Sequence, residues 1–166
     1  MKNIIIIIGL CLMSLASNAQ SEKETQLFFI RHAEKEKDGS NDPLLTKKGE
    51  SRAEYWATVF KNIDFDEVYS TQTSRTIATA KPSAKKDDLE IIIYDTKEID
   101  IKELAKNKLG KNILIVGHSN STPRLVNALL GNDDLQEIEH SNNSNLYIVR
   151  YRPDNVSLSI LFIELP

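Results

Sequence analysis

Short apolar runs alternate with amphipathic segments along this chain from residue 25 onward. Three runs are apolar almost throughout, as is typical of strands buried on both faces of a sheet. They cover residues 25–30, 91–94 and 113–116, and a shorter strand ends at residues 68–69. Residues 146–151 and 156–163 flank a proline-containing turn and predict a closing pair of strands.

Four helices are predicted between these strands. They begin at Thr46, Thr73, Asp100 and Thr122. The second is predicted to end at residue 81, because Pro82 lacks the N–H that the interior of a helix needs. The charged residues 81–90 are then predicted to form a solvated loop.

Strands that alternate with helices predict an α/β fold. We expect three layers, with a mostly parallel sheet between helices on both faces. No internal repeat or long linker divides the sequence, so residues 20–166 are predicted to form one domain.

The first 19 residues have the pattern of a secretory signal peptide. Lys2 precedes an apolar run at residues 4–13, and Ser17-Asn18-Ala19 fits the small-x-small rule for cleavage after Ala19. The run is shorter than the roughly 20 residues of a spanning helix, although an uncleaved membrane anchor is the alternative. A secreted or periplasmic protein is expected, with no stable membrane association after cleavage.

Composition narrows the chemistry further. The chain has 166 residues, of which 27% are charged, and its formal net charge is −3. That charge gives no general attraction to nucleic acid or to anionic membranes, so an anionic ligand must be held by a local basic cluster. Cys11 is the single cysteine and lies in the signal peptide, which excludes disulfides and thiolate metal sites from the mature domain.

Polar residues cluster where the predicted strands end. Each strand is followed by some of them: Arg31, His32 and Glu34; Ser70, Thr71 and Arg75; Asp95 and Glu98; His118 and Ser119. Ligands of open α/β sheets bind outside the carboxyl ends of the strands. We therefore expect these side chains to meet at one edge.

This set suits phosphoryl transfer without a metal. Two guanidiniums offer paired donors to phosphate oxygens, and a histidine serves as a nucleophile toward phosphorus. A carboxylic acid can protonate the leaving oxygen.

Four segments carry a family resemblance. They are Arg31-His32-Ala33-Glu34, Pro43-Leu44-Leu45-Thr46-x-x-Gly49, Val68-Tyr69-Ser70-Thr71 with Arg75, and Val116-Gly117-His118-Ser119. In this order the sequence resembles the histidine phosphatase superfamily, also called phosphoglycerate mutase-like. Ala33 stands where the family usually has glycine.

The resemblance implies a metal-independent phosphatase that needs no cofactor and acts on a small phosphorylated substrate. By the same resemblance, His32 becomes phosphorylated, while Arg31, Arg75 and His118 bind the phosphoryl group. Glu98 is the nearest match to the family's proton donor, and Asp95, Asp100 or no residue at all are the alternatives. A phospho-ligand binding protein of the same fold, with weak or no turnover, is the alternative function.

Two other sites compete with this interpretation. Residues 117–121 nearly match the esterase nucleophile elbow, with Ser119 as the nucleophile, but only His140 follows as a possible base. His32, His118 and Glu98 could instead form a metal site, which two neighbouring arginines would oppose. Otherwise His140 and residues 35–38 are expected at the surface, with Glu34 or Lys35 near the mouth of the pocket.

Overall fold

Six strands form one sheet in the computed structural model, which describes residues 23–166. They are β1 (Thr25–Arg31), β2 (Glu67–Ser70), β3 (Ile91–Ile93), β4 (Asn112–Gly117), β5 (Asn145–Arg152) and β6 (Asn155–Phe162). Their order across the sheet is β3-β2-β4-β1-β5-β6. The first four strands in that order are parallel, and β5 and β6 are antiparallel additions. The predicted signal peptide lies outside the described residues.

Four helices cover the sheet, two on each face. They are α1 (Lys47–Val59), α2 (Ser74–Lys86), α3 (Ile101–Asn107) and α4 (Ser121–Leu130). Trp56 of α1 and Ala80 of α2 pack against one face with Phe28. Ile101 of α3 and Leu125 of α4 pack against the other face. The predicted three-layer α/β fold is therefore confirmed. None of the helices within residues 23–166 is long and apolar enough to cross a membrane.

Alternating burial along β1 explains why a strand in the middle of the sheet is apolar throughout. Leu27 and Phe29 belong to one core, and Phe28 and Ile30 belong to the other. All four side chains are buried, because helices cover both faces. β3 differs from this pattern, since it is an edge strand and its residues Ile92 and Ile93 are exposed.

The predicted end of the second helix at Pro82 is wrong, because α2 continues to Lys86. Ala84, beyond the proline, is buried in the core beneath α1 and α2. Proline removes one helix donor, and the burial that follows outweighs this loss. The segment after Pro82 is also no solvated loop, since Lys86 Nζ donates to the carbonyl of Ile63 at 2.7 Å and Asp87 accepts from the N–H of Phe65 at 2.9 Å.

The last helix begins one residue before the predicted cap. α4 starts at Ser121 with Asn120 as its N-cap, so Thr122 lies inside the helix. The hydroxyl of Ser121 accepts from the N–H of His118 at 3.0 Å. The first turn of α4 therefore fixes the backbone of the histidine that follows β4.

Gly49 lets α1 pack directly against the segment that follows His32. The hydroxyl of Thr46 caps α1 by accepting from the N–H of Gly49 at 3.0 Å, and the N–H of Thr46 donates to the carbonyl of Glu34 at 2.9 Å. A Cβ atom at position 49 would lie 2.1 Å from that carbonyl oxygen. Only glycine permits this approach, which explains the glycine in the Leu-Thr-x-x-Gly segment.

Replacing Gly49 with alanine is expected to lower the free energy of unfolding by about 3 kcal/mol, because the methyl group meets backbone that cannot rotate away. Urea denaturation measures the change. Ser51→Ala is the matched control, since Ser51 is exposed in the same helix and its loss should stay within about 0.5 kcal/mol. A Gly49→Ala protein as stable as the control would show that the contact does not constrain α1.

Candidate active site

Strand register places the two predicted site histidines side by side. β1 and β4 are parallel neighbours in which Arg31 pairs with Gly117, so His32 and His118 each follow their strand at the same level. The N–H of His32 donates to the carbonyl of Gly117 at 2.9 Å. The centroids of the two imidazole rings lie 5.5 Å apart, and the rings meet edge to face.

A hydrogen bond fixes the tautomer of His32. Its Nδ1 lies 2.8 Å from the carbonyl oxygen of Ala33. A carbonyl oxygen only accepts, so Nδ1 carries the proton and Nε2 keeps its lone pair. Burial, together with the nearby positive charge of Arg31, lowers the pKa of His32 to about 3. The ring is therefore neutral at physiological pH, with a nucleophilic nitrogen.

A chain of hydroxyl groups orients His118. Its Nε2 lies 3.0 Å from the hydroxyl oxygen of Thr71, which donates in turn to Thr76 at 2.9 Å. Its Nδ1 lies 3.5 Å from Nη2 of Arg75, and a guanidinium only donates. Burial lowers the pKa of His118 to about 4, with Arg75 as the next cause. His118 is also neutral near pH 7.

Arg31 is buried and held by backbone. Its Nη1 donates to three carbonyl oxygens, those of Glu139, His140 and Asn142, at 2.9, 3.1 and 3.0 Å. Its Nε is buried and makes no hydrogen bond within the part of the chain that the structure describes. The guanidinium is thus rigidly placed and keeps donor capacity for an oxyanion.

Arg75 reaches the site from the first turn of α2. Its Nη1 lies 3.4 Å from Oδ1 of Asp42, which also accepts from the backbone N–H of Ser74 at 3.0 Å. The hydroxyl and backbone N–H of Ser74 lower the pKa of the Asp42 carboxyl group, to which Arg75 adds. Asp42 therefore ties the loop before α1 to the arginine. Asp42 was not predicted as a site residue, because one aspartate in a polar loop does not indicate a site.

Two candidate proton donors follow β3, and only one of them, Asp95, lines a cavity with His118. Asp95 lines a cavity of about 310 Å³ together with Thr71 and His118. Glu98, the predicted donor, is exposed and does not line that cavity, because the chain turns at Asp95, whose carbonyl accepts from the N–H of Glu98 at 3.3 Å. Asp95 therefore shares a cavity with His118, and the choice of Glu98 as the proton donor stays a prediction.

The segment 132–144 shapes the site although it contains no helix or strand. Its carbonyls hold Arg31, and Nδ2 of Asn143 donates to the carbonyl of His32 at 2.8 Å. The segment is pinned at its start, where the side chain of Asn127 donates to the carbonyl of Leu135 and accepts from its N–H. From the sequence this segment was predicted only as a polar surface run, because every residue has a backbone carbonyl and the residue types do not show which carbonyls bind Arg31.

The family model described as histidine phosphatase superfamily (branch 1) matches residues 27–101, which include Arg31, His32 and Arg75. This stretch of the chain is therefore similar to the histidine phosphatase superfamily. His118 lies beyond the matched residues, and strand register brings it to them. No curated protein sequence matches this chain significantly.

Solved structures of several phosphatases and a mutase share the fold of this chain. The protein histidine phosphatase SixA, complexed with tungstate, is 17% identical, with 82% of this chain and 96% of that chain covered and a TM-score of 0.68. Phosphoserine phosphatase from Entamoeba histolytica is 20% identical, with 82% of this chain and 96% of that chain covered and a TM-score of 0.64. Phosphoglycerate mutase from Bacillus anthracis is 15% identical, with 87% of this chain and 95% of that chain covered and a TM-score of 0.69. At these identities the likeness shows the fold alone.

Within residues 23–166, the two competing sites lack the geometry that each would require. The hydroxyl of Ser119 donates to Oε1 of Glu137 at 2.7 Å, so a carboxylate and not a histidine is its partner. The metal alternative required Glu98 beside His32 and His118, and Glu98 lies in the exposed turn before α3.

His32, which is buried, and His118, which is half-buried, predict how stability changes with pH. Their pKa values are lowered in the folded protein, so the unfolded chain binds protons that the folded chain does not as the pH falls below about 6.5. The stabilisation is complete above that pH and is lost as the pH falls toward the folded values of about 3 and about 4. Between about pH 7 and pH 5, each histidine should lower the free energy of unfolding by about 2 kcal/mol.

Urea denaturation at both pH values measures this loss. His118→Gln should remove about half of the pH dependence, because glutamine does not titrate. Paired carboxylates such as Asp42 lose their contribution mainly below this window. An unchanged pH slope in the variant would show that His118 is not held neutral by the fold.

Proposed function

We propose that this protein is a metal-independent phosphatase that hydrolyses a small phosphomonoester through a phosphohistidine on His32. The observation that carries the proposal is the fixed tautomer of His32, with Nδ1 donating to Ala33 at 2.8 Å and Nε2 left as a nucleophile. Binding alone does not require a nucleophile in that state. The structural neighbours named above, among them phosphoserine phosphatase and SixA with tungstate, agree with a phosphoryl ligand.

The proposed reaction has two steps. In the first, Nε2 of His32 attacks phosphorus, the N–P bond forms, and the bond from phosphorus to the leaving oxygen breaks. Arg31, Arg75 and His118 hold the equatorial oxygens, where negative charge is spread in the transition state. In the second step, water attacks the phosphohistidine, the N–P bond breaks, and inorganic phosphate leaves.

Asp95 is our choice of proton donor, because it shares a cavity with His118, whereas Glu98 does not line it. Asp95→Asn should lower kcat by about 100-fold on phenyl phosphate, whose leaving oxygen needs a proton, and much less on para-nitrophenyl phosphate. Glu98→Gln tests the competing assignment and should change neither rate. Equal losses on both substrates would remove Asp95 from the acid role.

Export is part of the proposal. The signal peptide predicted at residues 1–19 implies that the phosphatase acts outside the cytoplasm. Expression of the full chain in a bacterium, followed by fractionation and N-terminal sequencing, should recover a protein that begins at Gln20. Recovery of an intact N-terminus in the membrane fraction would favour the uncleaved anchor.

Hydrolysis of para-nitrophenyl phosphate by residues 20–166, with EDTA present and across acidic to neutral pH, tests the activity itself. The proposal predicts turnover that survives EDTA. Vanadate or phosphate binding without turnover on any phosphomonoester would favour the phospho-ligand binding protein.

A further inference from the structure

A second cavity extends the site beyond the phosphoryl position. It has a volume of about 530 Å³ and opens beside Arg31 and His32. Lys35, Lys37 and His140 contribute to its lining. Pockets for small molecules range from about 300 to 1,000 Å³, so this one can hold the body of a substrate as well as its phosphoryl group.

The extended backbone after His32 separates the basic side chains of this segment from the acidic ones. Lys35, Glu36, Lys37 and Asp38 alternate in sign along the sequence. Lys35 forms a β-bridge with Leu45, so the segment is extended there, and successive side chains of an extended segment point in opposite directions. Both lysines line the cavity, and neither acidic residue does. A run of charged residues that served only to contact solvent would not need both of its lysines on the side of the cavity.

The lysines keep their charge uncompensated. Neither Lys35 nor Lys37 forms an ion pair with any residue between positions 23 and 166. The one carboxylate of the lining, Glu34, is already held by Arg52 through two hydrogen bonds of 2.9 Å. The cavity is therefore cationic in a chain whose net charge is −3.

We propose that the substrate carries a second anionic group, a carboxylate or a second phosphate, which Lys35 and Lys37 bind in this cavity. The inference rests on the proposed function, because it assumes that the scissile phosphoryl group lies against Arg31 and His32. Two exposed lysines strengthen binding modestly, and they steer an anionic ligand toward the site at low salt.

Binding of two matched probes tests this inference without turnover. The probes are benzylphosphonates that carry either a para-carboxylate or the neutral para-carboxamide, which have nearly the same size. At low ionic strength, residues 20–166 should bind the carboxylate about fivefold to tenfold more tightly by calorimetry. The Lys35→Gln, Lys37→Gln double variant should bind both probes equally. A Lys61→Gln, Lys102→Gln protein is the control, because these exposed lysines lie outside the cavity and their loss changes the net charge equally.

Equal binding of the two probes by the unmodified protein would overturn the inference, as would no binding of either. Loss of the preference in the control as well would assign it to the overall field of the protein, which also overturns the inference. Hydrolysis of para-nitrophenyl phosphate is measured on the same samples. If the protein prefers the carboxylate probe but does not hydrolyse para-nitrophenyl phosphate, the second anionic site is supported and the phosphatase activity is rejected. If it hydrolyses para-nitrophenyl phosphate but has no preference between the probes, the activity is supported and the second site is rejected.

Discussion

Replacing His32 with alanine is expected to lower kcat on para-nitrophenyl phosphate by at least about 1,000-fold, because the variant has no nucleophile for the first step. The remaining arginines still bind the phosphoryl group, so binding of vanadate should persist. Steady-state kinetics and vanadate titration measure the two effects.

His32→Asn is the matched variant that separates chemistry from structure. Its side-chain amide can still donate to the carbonyl of Ala33, which His32 contacts at 2.8 Å, but it has no nucleophilic nitrogen. We expect it to be as inactive as His32→Ala and closer to the unmodified protein in stability. If either variant kept the rate of the unmodified protein, His32 would not be the nucleophile.

Replacing Arg75 with alanine is expected to lower kcat/KM by roughly 100- to 1,000-fold, the loss usually seen when one donor to a developing oxyanion is removed. Arg75 lies within 3.5 Å of His118, and its buried Nε has no partner within the described residues. The free energy of unfolding should change little, because the Asp42 carboxylate that pairs with Arg75 is itself exposed to solvent. Kinetics together with urea denaturation distinguish the two.

Two further variants sharpen the test of Arg75. Arg75→Lys keeps the charge but loses the planar pair of donors, so it should recover only part of the loss. Asp42→Asn removes the ion pair and keeps an acceptor for Ser74, and its effect should stay below about fivefold. If Asp42→Asn reproduced the full loss of Arg75→Ala, the arginine would act through the loop and not on the phosphoryl group.

The sequence predicted those parts of the fold that depend on burial. The central residues of β1 and β4, 27–30 and 113–116, are all apolar because helices cover both faces of these strands, so the strands could be located from the sequence. The same pattern located Arg31, His32 and His118, since each lies at the carboxyl end of a buried strand. Register then accounts for their proximity without any further information.

The errors arose where tertiary contacts outweigh local preference. α2 passes through Pro82 because Ala84 beyond it is buried, and a sequence pattern does not reveal that burial. The assignment of Glu98 as proton donor stays a prediction, and the structure adds only that Glu98 is exposed in the turn that begins at Asp95.

Other features of the site left no local signal at all. Asp42 contacts Arg75 from a loop more than thirty positions earlier in the chain. The carbonyls of segment 132–144 that hold Arg31 belong to residues whose side chains play no part in that contact. Long-range and backbone contacts of this kind can be identified only in the folded structure.

The proposed mechanism requires that His32 carries a phosphoryl group during turnover, and this adduct can be trapped. Residues 20–166 are mixed briefly with para-nitrophenyl phosphate and quenched in alkali, in which phosphohistidine survives, and the adduct is located by fragmentation mass spectrometry. We expect one acid-labile phosphoryl group on the peptide that contains His32, and none in His32→Asn. A phosphoryl group on Ser119 or His118, or turnover without any adduct in a quench fast enough to precede one cycle, would contradict it.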